Sequence, residues 1–228
     1  MRLDKFLAHT AGLTRTLAKQ VIKQQRVQIN DVVAHHASQI VTDTDQIQFD
    51  NTTLVMPGKR YIMLHKPDGL VCTRNDSHHA DIFTLINDSQ NLHAAGRLDA
   101  DTTGLVLVTD DGQWSHCVTS PRHHCNKVYR ASLEQPLTSD QIKQLETGVM
   151  LNGEDKPTLP AQLASIAACQ IRLTIHEGKY HQVKRMLAAV GNKIIALHRE
   201  RIGDIELDNN LPAGSWRDLT TEEYQSIL

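Results

Sequence analysis

Several things are missing from this sequence, and each absence narrows what the chain can be. No pair among its four cysteines, Cys72, Cys117, Cys125 and Cys169, is spaced Cys-x-x-Cys. That argues against a disulfide framework and a structural zinc site, and for reduced thiols. No apolar run is long enough to span a bilayer, and the first residues lack the basic–apolar–small order of an export signal, so a cytoplasmic protein without membrane contact is expected. Internal repeats and low-complexity stretches are absent. Net charge is also nearly absent, at −2 with 24 basic and 26 acidic residues, and 40% of the chain is hydrophobic. A disordered, highly charged tail protein is thereby excluded, and 228 residues suffice for one large domain or two unequal ones.

The small net charge conceals an asymmetry. Residues 1–30 carry Arg2, Lys5, Arg15, Lys19, Lys23 and Arg26 against a single acid, Asp4. Leu3, Phe6 and Leu7 share one face of a first predicted helix, which Gly12 ends. Thr14 is placed to cap a second, with Leu17, Ala18, Val21 and Ile22 as its apolar face. Arg15, Lys19 and Lys23 recur every four residues on another face, with too few acids nearby to neutralise them. Such a stripe is most often a solvated face; left unneutralised, it suits the RNA phosphate backbone. Val27–Asn30 and Val32–Ala34 read as short strands around an Asn30-Asp31 turn, with Ile47–Phe49 closing a small unit.

Met56-Pro57-Gly58-Lys59-Arg60 is the linker candidate, dividing residues 1–57 from 58–228. Beyond it, Tyr61–Leu64 is a predicted strand ended by the turn Lys66-Pro67-Asp68-Gly69. A short helix is expected near 82–86, another over Gly112–Thr119 ending near Pro121, and one capped by Thr138 through Leu145. Lys127–Tyr129 and Ile171–Ile175 read as strands, and Lys156-Pro157 as a turn. Tyr180–Val190 is a predicted amphipathic helix burying Val183, Met186, Leu187 and Val190, with Gly191 as its C-terminal cap. Helices and strands mixed through short connections define an α+β class.

The stretch on which the rest depends is Gly96-Arg97-Leu98-Asp99-Ala100-Asp101-Thr102-Thr103-Gly104, followed by Leu105–Val108. Four apolar residues are too few for a buried helix and read as a strand buried on both faces. A polar loop pinned to such a strand is a common place for chemistry. On spacing alone an Asp in this loop is a turn or cap residue, Arg97 an ion-pair partner and Tyr129 a core residue.

Three segments change that balance. Gly-Arg-Leu-Asp-x-x-Thr-x-Gly-Leu at 96–105, Lys-x-Tyr at 127–129 and Glu-Gly-x-x-His-Gln-Val-Lys-Arg-Met at 177–186 resemble the motifs of the pseudouridine synthases, in the branch that modifies ribosomal RNA. Arg-Leu-Asp-Lys-Phe-Leu at 2–7, the Arg/Lys helix and Arg-Val-x-Ile-Asn resemble the alpha-L (S4-like) RNA-binding domain. The likeness covers nearly the whole chain. It departs at Gln25, where relatives usually carry Gly, and at His65, where they carry Asn before Lys-Pro.

The resemblance implies an S4-like domain over 1–57 and a catalytic domain over 58–228 built on a mixed, mainly antiparallel sheet. It implies isomerisation of uridine: the N1–C1′ bond breaks, the uracil turns, and C5 bonds to C1′. Nothing is oxidised or transferred from elsewhere, so no cofactor or metal is implied. Asp99 is the implied catalytic carboxylate, acting at C1′ as nucleophile or at C2′ as base, and both roles stay open. Tyr129 abuts the uracil, Lys184 pairs with Asp99, and Ile175 floors the base pocket. Arg97 contacts phosphate or fills the space left by the unstacked uridine; the resemblance favours the second. Arg185, like the six cations of residues 1–30, is assigned to RNA.

The segments His116–Cys125 and Leu197–Gly203 resemble most the members acting on 16S, small-subunit, ribosomal RNA. The implied partner is that RNA or a small-subunit assembly intermediate, met by a monomer. A 23S ribosomal RNA enzyme and a non-catalytic assembly factor are the alternatives; a pure binder has no use for a carboxylate that repels phosphate. Asp99 to Asp110 imitates a calcium loop only faintly, with Leu107 in its ninth place and Asp in its twelfth. His116, His123, His124 and Cys125 fit no standard zinc spacing.

Overall fold

The computed structural model describes residues 1–42, 44–55, 58–120 and 125–228, and the chain divides into two compact units, Met1–Gly58 and Lys59–Leu228. Met56 and Pro57 of the expected linker lie outside the described residues, as do Pro121, Arg122, His123 and His124.

The first unit packs α1 (Leu3–Thr10) and α2 (Arg15–Lys23) on a four-stranded antiparallel sheet of β1 (Val27–Ile29), β2 (Val32–Val33), β3 (Ile47–Phe49) and β4 (Thr52–Leu54), ordered β2-β1-β3-β4. Leu3, Phe6, Leu7, Ala18, Val21, Ile22 and Ile47 form its core. Leu17, expected on the apolar face, is instead 46% exposed. Thr14 caps α2 by accepting from the Leu17 amide. Asn30-Asp31 and Asp50-Asn51 have paired positive φ angles, as two-residue hairpin turns require.

The second unit is built on a nine-stranded sheet whose path runs β13-β5-β7-β11-β8-β10-β9. In chain order these strands are β5 (Tyr61–Lys66), β6 (His93–Ala95), β7 (Thr102–Thr109), β8 (Lys127–Leu133), β9 (Gln162–Ala167), β10 (Gln170–Ile175), β11 (Ile194–Ile202), β12 (Ile205–Glu206) and β13 (Trp216–Asp218). β6 adds to β7 and β12 to β11, and the β7–β11 pairing is parallel while the others are antiparallel. The helices are a 3-10 turn at Ile82–Leu85, α3 (Gly112–Thr119), α4 (Ser139–Thr147), α5 (Gln182–Ala189) and α6 (Thr221–Gln225).

β7 is longer than the apolar run that announced it and begins at Thr102. Val106 and Val108 enter one core with Leu64, Tyr129, Leu173, Met186 and Leu187. Leu105 and Leu107 enter the other, with Met63, Trp114 and Val118. A strand with a core on each face is fixed in register, because a one-residue slip would exchange every side chain between the two. Gly104, expected to close the loop, is inside the strand at φ +108, where a Cβ would stand 2.3 Å from the carbonyl oxygen of Arg199 on β11. Only glycine lets these two strands pair here. Asp111 caps α3, and Thr138 with Gln141 forms a capping box on α4.

Candidate active site

The loop from Gly96 to Asp101 is held from both sides by buried cations. On β5, Lys66 is fully buried and its ammonium donates to the carbonyls of Pro67, Ala100 and Thr102 at 2.8–2.9 Å. Burial pulls its proton affinity below the lysine norm. On β11, Arg199 is 2% exposed, and its guanidinium donates to Leu105 O at 2.7 Å, Gly96 O at 2.8 Å and Arg97 O at 3.4 Å. A fourth Arg199 contact, at 3.4 Å, reaches the Tyr129 hydroxyl. Leu98 anchors the middle of the loop, buried, with its amide on the Cys72 sulfur at 3.3 Å. The backbone on both sides of Asp99 is therefore fixed, and only its side chain faces outward, 28% exposed.

Two donors meet that carboxylate. Lys184 Nζ lies 2.9 Å from Asp99 Oδ2, and His181 Nε2 lies 3.1 Å from Oδ1. Lys184 is shared with Asp101, at 2.5 Å. Burial alone would lower the Lys184 proton affinity, but its bonds to Asp101 and Asp99 more than offset this and raise it. The same contact lowers that of Asp101. Lys184 is thus a charged side chain at neutral pH with two carboxylates to serve.

Both donors come from the start of α5, and the turn before it is tightly built. Gln182 is buried, accepting from the Lys179 amide and donating to Glu177, whose same oxygen takes the Leu159 amide. His181 adopts φ +47, a left-handed conformation uncommon for residues other than Gly, and Tyr180 stacks on its ring at 3.8 Å. α5 begins at Gln182, two residues later than the expected start at Tyr180, because Tyr180 and His181 form this turn.

A pocket opens beside Asp99, walled by Tyr129 and Ile175 and reached by Lys184. Tyr129 on β8 is 8% exposed and Ile175 on β10 is 3% exposed, two register positions apart on adjacent antiparallel strands, Tyr129 pairing with Leu173. A flat phenol and an apolar floor next to a carboxylate suit a planar polar ring whose attached sugar reaches the acid. Asp99, Tyr129, Lys184 and Ile175 are thus brought together, and Arg97 stands exposed at the rim of the same pocket.

Other expected residues are placed elsewhere. Arg185 faces the loop before β9, donating to Asn152 O at 2.5 Å and Glu154 at 3.4 Å, so its donors are engaged by protein. Of the six cations in the first unit, three have acids after all. Arg2 and Arg15 both bond Asp4, which is fully buried, at 3.0 and 2.8 Å, and Arg26 bonds Asp50. Within the stripe, Arg15 is thus neutralised, against the sequence expectation, while Lys19 and Lys23 are not. Asp4 is one acid serving two helices, and Asp50 lies 24 residues from its partner. Lys5, Lys19 and Lys23 are exposed and make no ion pair among the described residues. His65 packs away from the pocket, its ring bonded to Leu211 O at 2.8 Å and edge-on to His198. The calcium-loop imitation spans a strand, since Leu107 belongs to β7.

Sequence reasoning missed His181 and Arg199. His181 was visible within the 177–186 motif, three residues before Lys184 and so on the same helical side. Arg199 had no such signal, being a charged residue where alternation called for an apolar one.

The comparisons with known proteins agree with this geometry. The family model described as RNA pseudouridylate synthase matches residues 60–189, and the S4 domain matches residues 1–47. The chain belongs to the RNA pseudouridylate synthase family. Relatives named ribosomal small subunit pseudouridine synthase A include one from Vibrio cholerae, 52% identical across 100% of this chain and 99% of its own, and one from Escherichia coli, 48% identical across the whole of both. A crystal structure titled pseudouridylate synthase superposes with a TM-score of 0.73 at 44% identity, covering all of both chains. The chain is therefore an RNA pseudouridine synthase with an S4 domain, and RNA is its partner. Among the described residues, no helix is long and apolar enough to cross a membrane.

Proposed function

We propose that this synthase converts a uridine of 16S, small-subunit, ribosomal RNA to pseudouridine, on the free RNA or within a small-subunit assembly intermediate. Asp99 acts on the sugar. The observation that carries this reading is the Asp99 carboxylate fixed between Lys184 and His181 at the edge of the Tyr129–Ile175 pocket. Tyr129 takes one face of the uracil, Ile175 lies beneath it, and Lys184 orients the carboxylate as a point charge. Arg97, exposed and without a side-chain partner among the described residues, enters the space the uridine leaves when it unstacks, and unstacking costs a few kcal/mol that such contacts offset. The S4 domain, within residues 1–57, docks the RNA and the catalytic domain over 58–228 receives the target base. The reading has a monomer at work in the cytoplasm, where ribosomal RNA is assembled.

The small-subunit assignment rests on the names of the full-length relatives. It is tested by tritium release from C5 of uridine, with small-subunit and large-subunit ribosomal RNA offered separately. Release from the small-subunit RNA alone is expected. Release confined to the large-subunit RNA would move the substrate to 23S, and tight binding with release from neither, either free or in assembly intermediates, would favour an assembly factor.

A further inference from the structure

Lys127 opens β8, two residues before Tyr129 and therefore on the same face of the strand, with Ile175 opposite it on β10. Its side chain lines the same pocket as Asp99, Tyr129 and Ile175. It is 5% exposed, and its ammonium has no hydrogen-bond partner among the described residues. Thr102 Oγ1, equally buried and equally without a partner, lines that pocket too. Two of the three such atoms in the described residues thus belong to residues that line one pocket, the third being Asn126 Oδ1 next to Lys127 in the chain. Buried polar atoms are nearly always satisfied, so the pocket is suited to atoms the protein does not itself supply.

Charge says which atoms. Arg199, the other buried cation at the pocket, bonds only to carbonyls and the Tyr129 hydroxyl, so it brings no acid there. Burial pulls the Lys127 proton affinity down, with the neighbouring Cys125 opposing and the charge of Arg199 adding to that effect. An ammonium held in this way is costly without an anion, and the cost is recovered when one forms beside it. A phosphodiester is a poor candidate, because it stays with the hydrated strand at the rim where Arg97 is exposed. The isomerisation supplies a better one. When N1–C1′ breaks, the bonding pair leaves with the base, and the uracil becomes an anion spread over N1, O2 and O4. C1′ is then held by an Asp99 oxygen, or joined to C2′ by a double bond after Asp99 has taken the C2′ proton. The ring turns, and C5 gives a pair to C1′. As that bond forms, the bond from C1′ to Asp99 breaks and its pair returns to the carboxylate, or the pair of the C1′–C2′ double bond takes the proton back from Asp99 to C2′. Loss of the C5 proton and protonation of N1 leave a neutral isomer.

We propose that Lys127 is a catalytic residue whose ammonium meets a carbonyl oxygen of the uracil and balances the ring's negative charge while it is detached from C1′. The proposal rests on the pocket assignment made under Proposed function. Its test compares Lys127→Met and Lys127→Arg in single-turnover tritium release, with RNA affinity and melting temperature measured on the same full-length proteins.

Met is expected to slow the chemical step about 100-fold or more, the usual effect of removing a charge-stabilising donor. RNA affinity is expected to be unchanged, and the melting temperature unchanged or raised, since an unpaired buried charge is gone. Arg keeps the charge and is expected to keep most of the rate. A packing role predicts the reverse order, with the slim apolar Met tolerated and the bulkier Arg not. Met as fast as wild type, or faster than Arg, overturns the proposal. If Met does not fold, Lys127→Gln takes its place in the same ranking. Asp99→Asn run in parallel separates the two readings: an active Asp99→Asn removes the pocket assignment, whereas an inactive one beside an active Lys127→Met overturns the Lys127 assignment alone.

Discussion

Single residues explain where this chain departs from its relatives' pattern. Gln25 occupies the position after the cap of α2 where related domains usually carry Gly, and its φ is +59. The Gln25 amide bonds Ile22 O and the Arg26 amide bonds Val21 O, the pair of bonds that closes a Schellman motif. The motif demands a left-handed residue, and a side chain there is strained relative to glycine. Gln25→Gly is therefore expected to stabilise the protein by about 1 kcal/mol or slightly less, the relief of strain outweighing the added freedom of the unfolded chain. A urea titration of the full chain reads this as a higher midpoint for the transition of the first unit. A lower midpoint would show that the Gln25 side chain contributes something glycine cannot.

At the scale of elements, legibility followed hydrophobic pattern. α5 announced itself through Val183, Met186, Leu187 and Val190, all of them buried, and β10 through Ile171, Leu173 and Ile175. β7 was legible as an apolar run, but not its first three residues, because Thr102, Thr103 and Gly104 look like loop. β11 was not legible as a strand. Its centre, Leu197-His198-Arg199-Glu200, alternates only if Arg199 counts as a core residue, which it is. The element that sequence patterning missed is thus the one bearing the arginine that fixes the Asp99 loop. The candidate site itself was legible only through family motifs. Nothing in the spacing brings Asp99 within 3 Å of Lys184, 85 positions later; that requires β7 beside β11 and the turn from Glu177 to Gln182.

For the whole molecule, the proposed function divides the work of holding RNA and altering it between the two units. In the S4 domain the cations with acidic partners, Arg2, Arg15 and Arg26, brace the fold, and we propose that the exposed Lys5, Lys19 and Lys23 are the ones that meet phosphate. Replacing those three lysines with Gln is expected to weaken RNA binding and to reduce the slope of log affinity against log salt by roughly 2, at ~0.7–0.9 per contact. Binding titrations at several salt concentrations would give that slope. An unchanged slope would place the phosphate contacts elsewhere.

The central claim is that Asp99, held by Lys184 and His181, performs the isomerisation. Tritium release from C5 of uridine in small-subunit ribosomal RNA, compared between wild type and Asp99→Asn, tests it most directly. The account predicts release by wild type alone, with RNA affinity retained in the variant. Equal release by both would remove Asp99 from the chemistry and contradict the account.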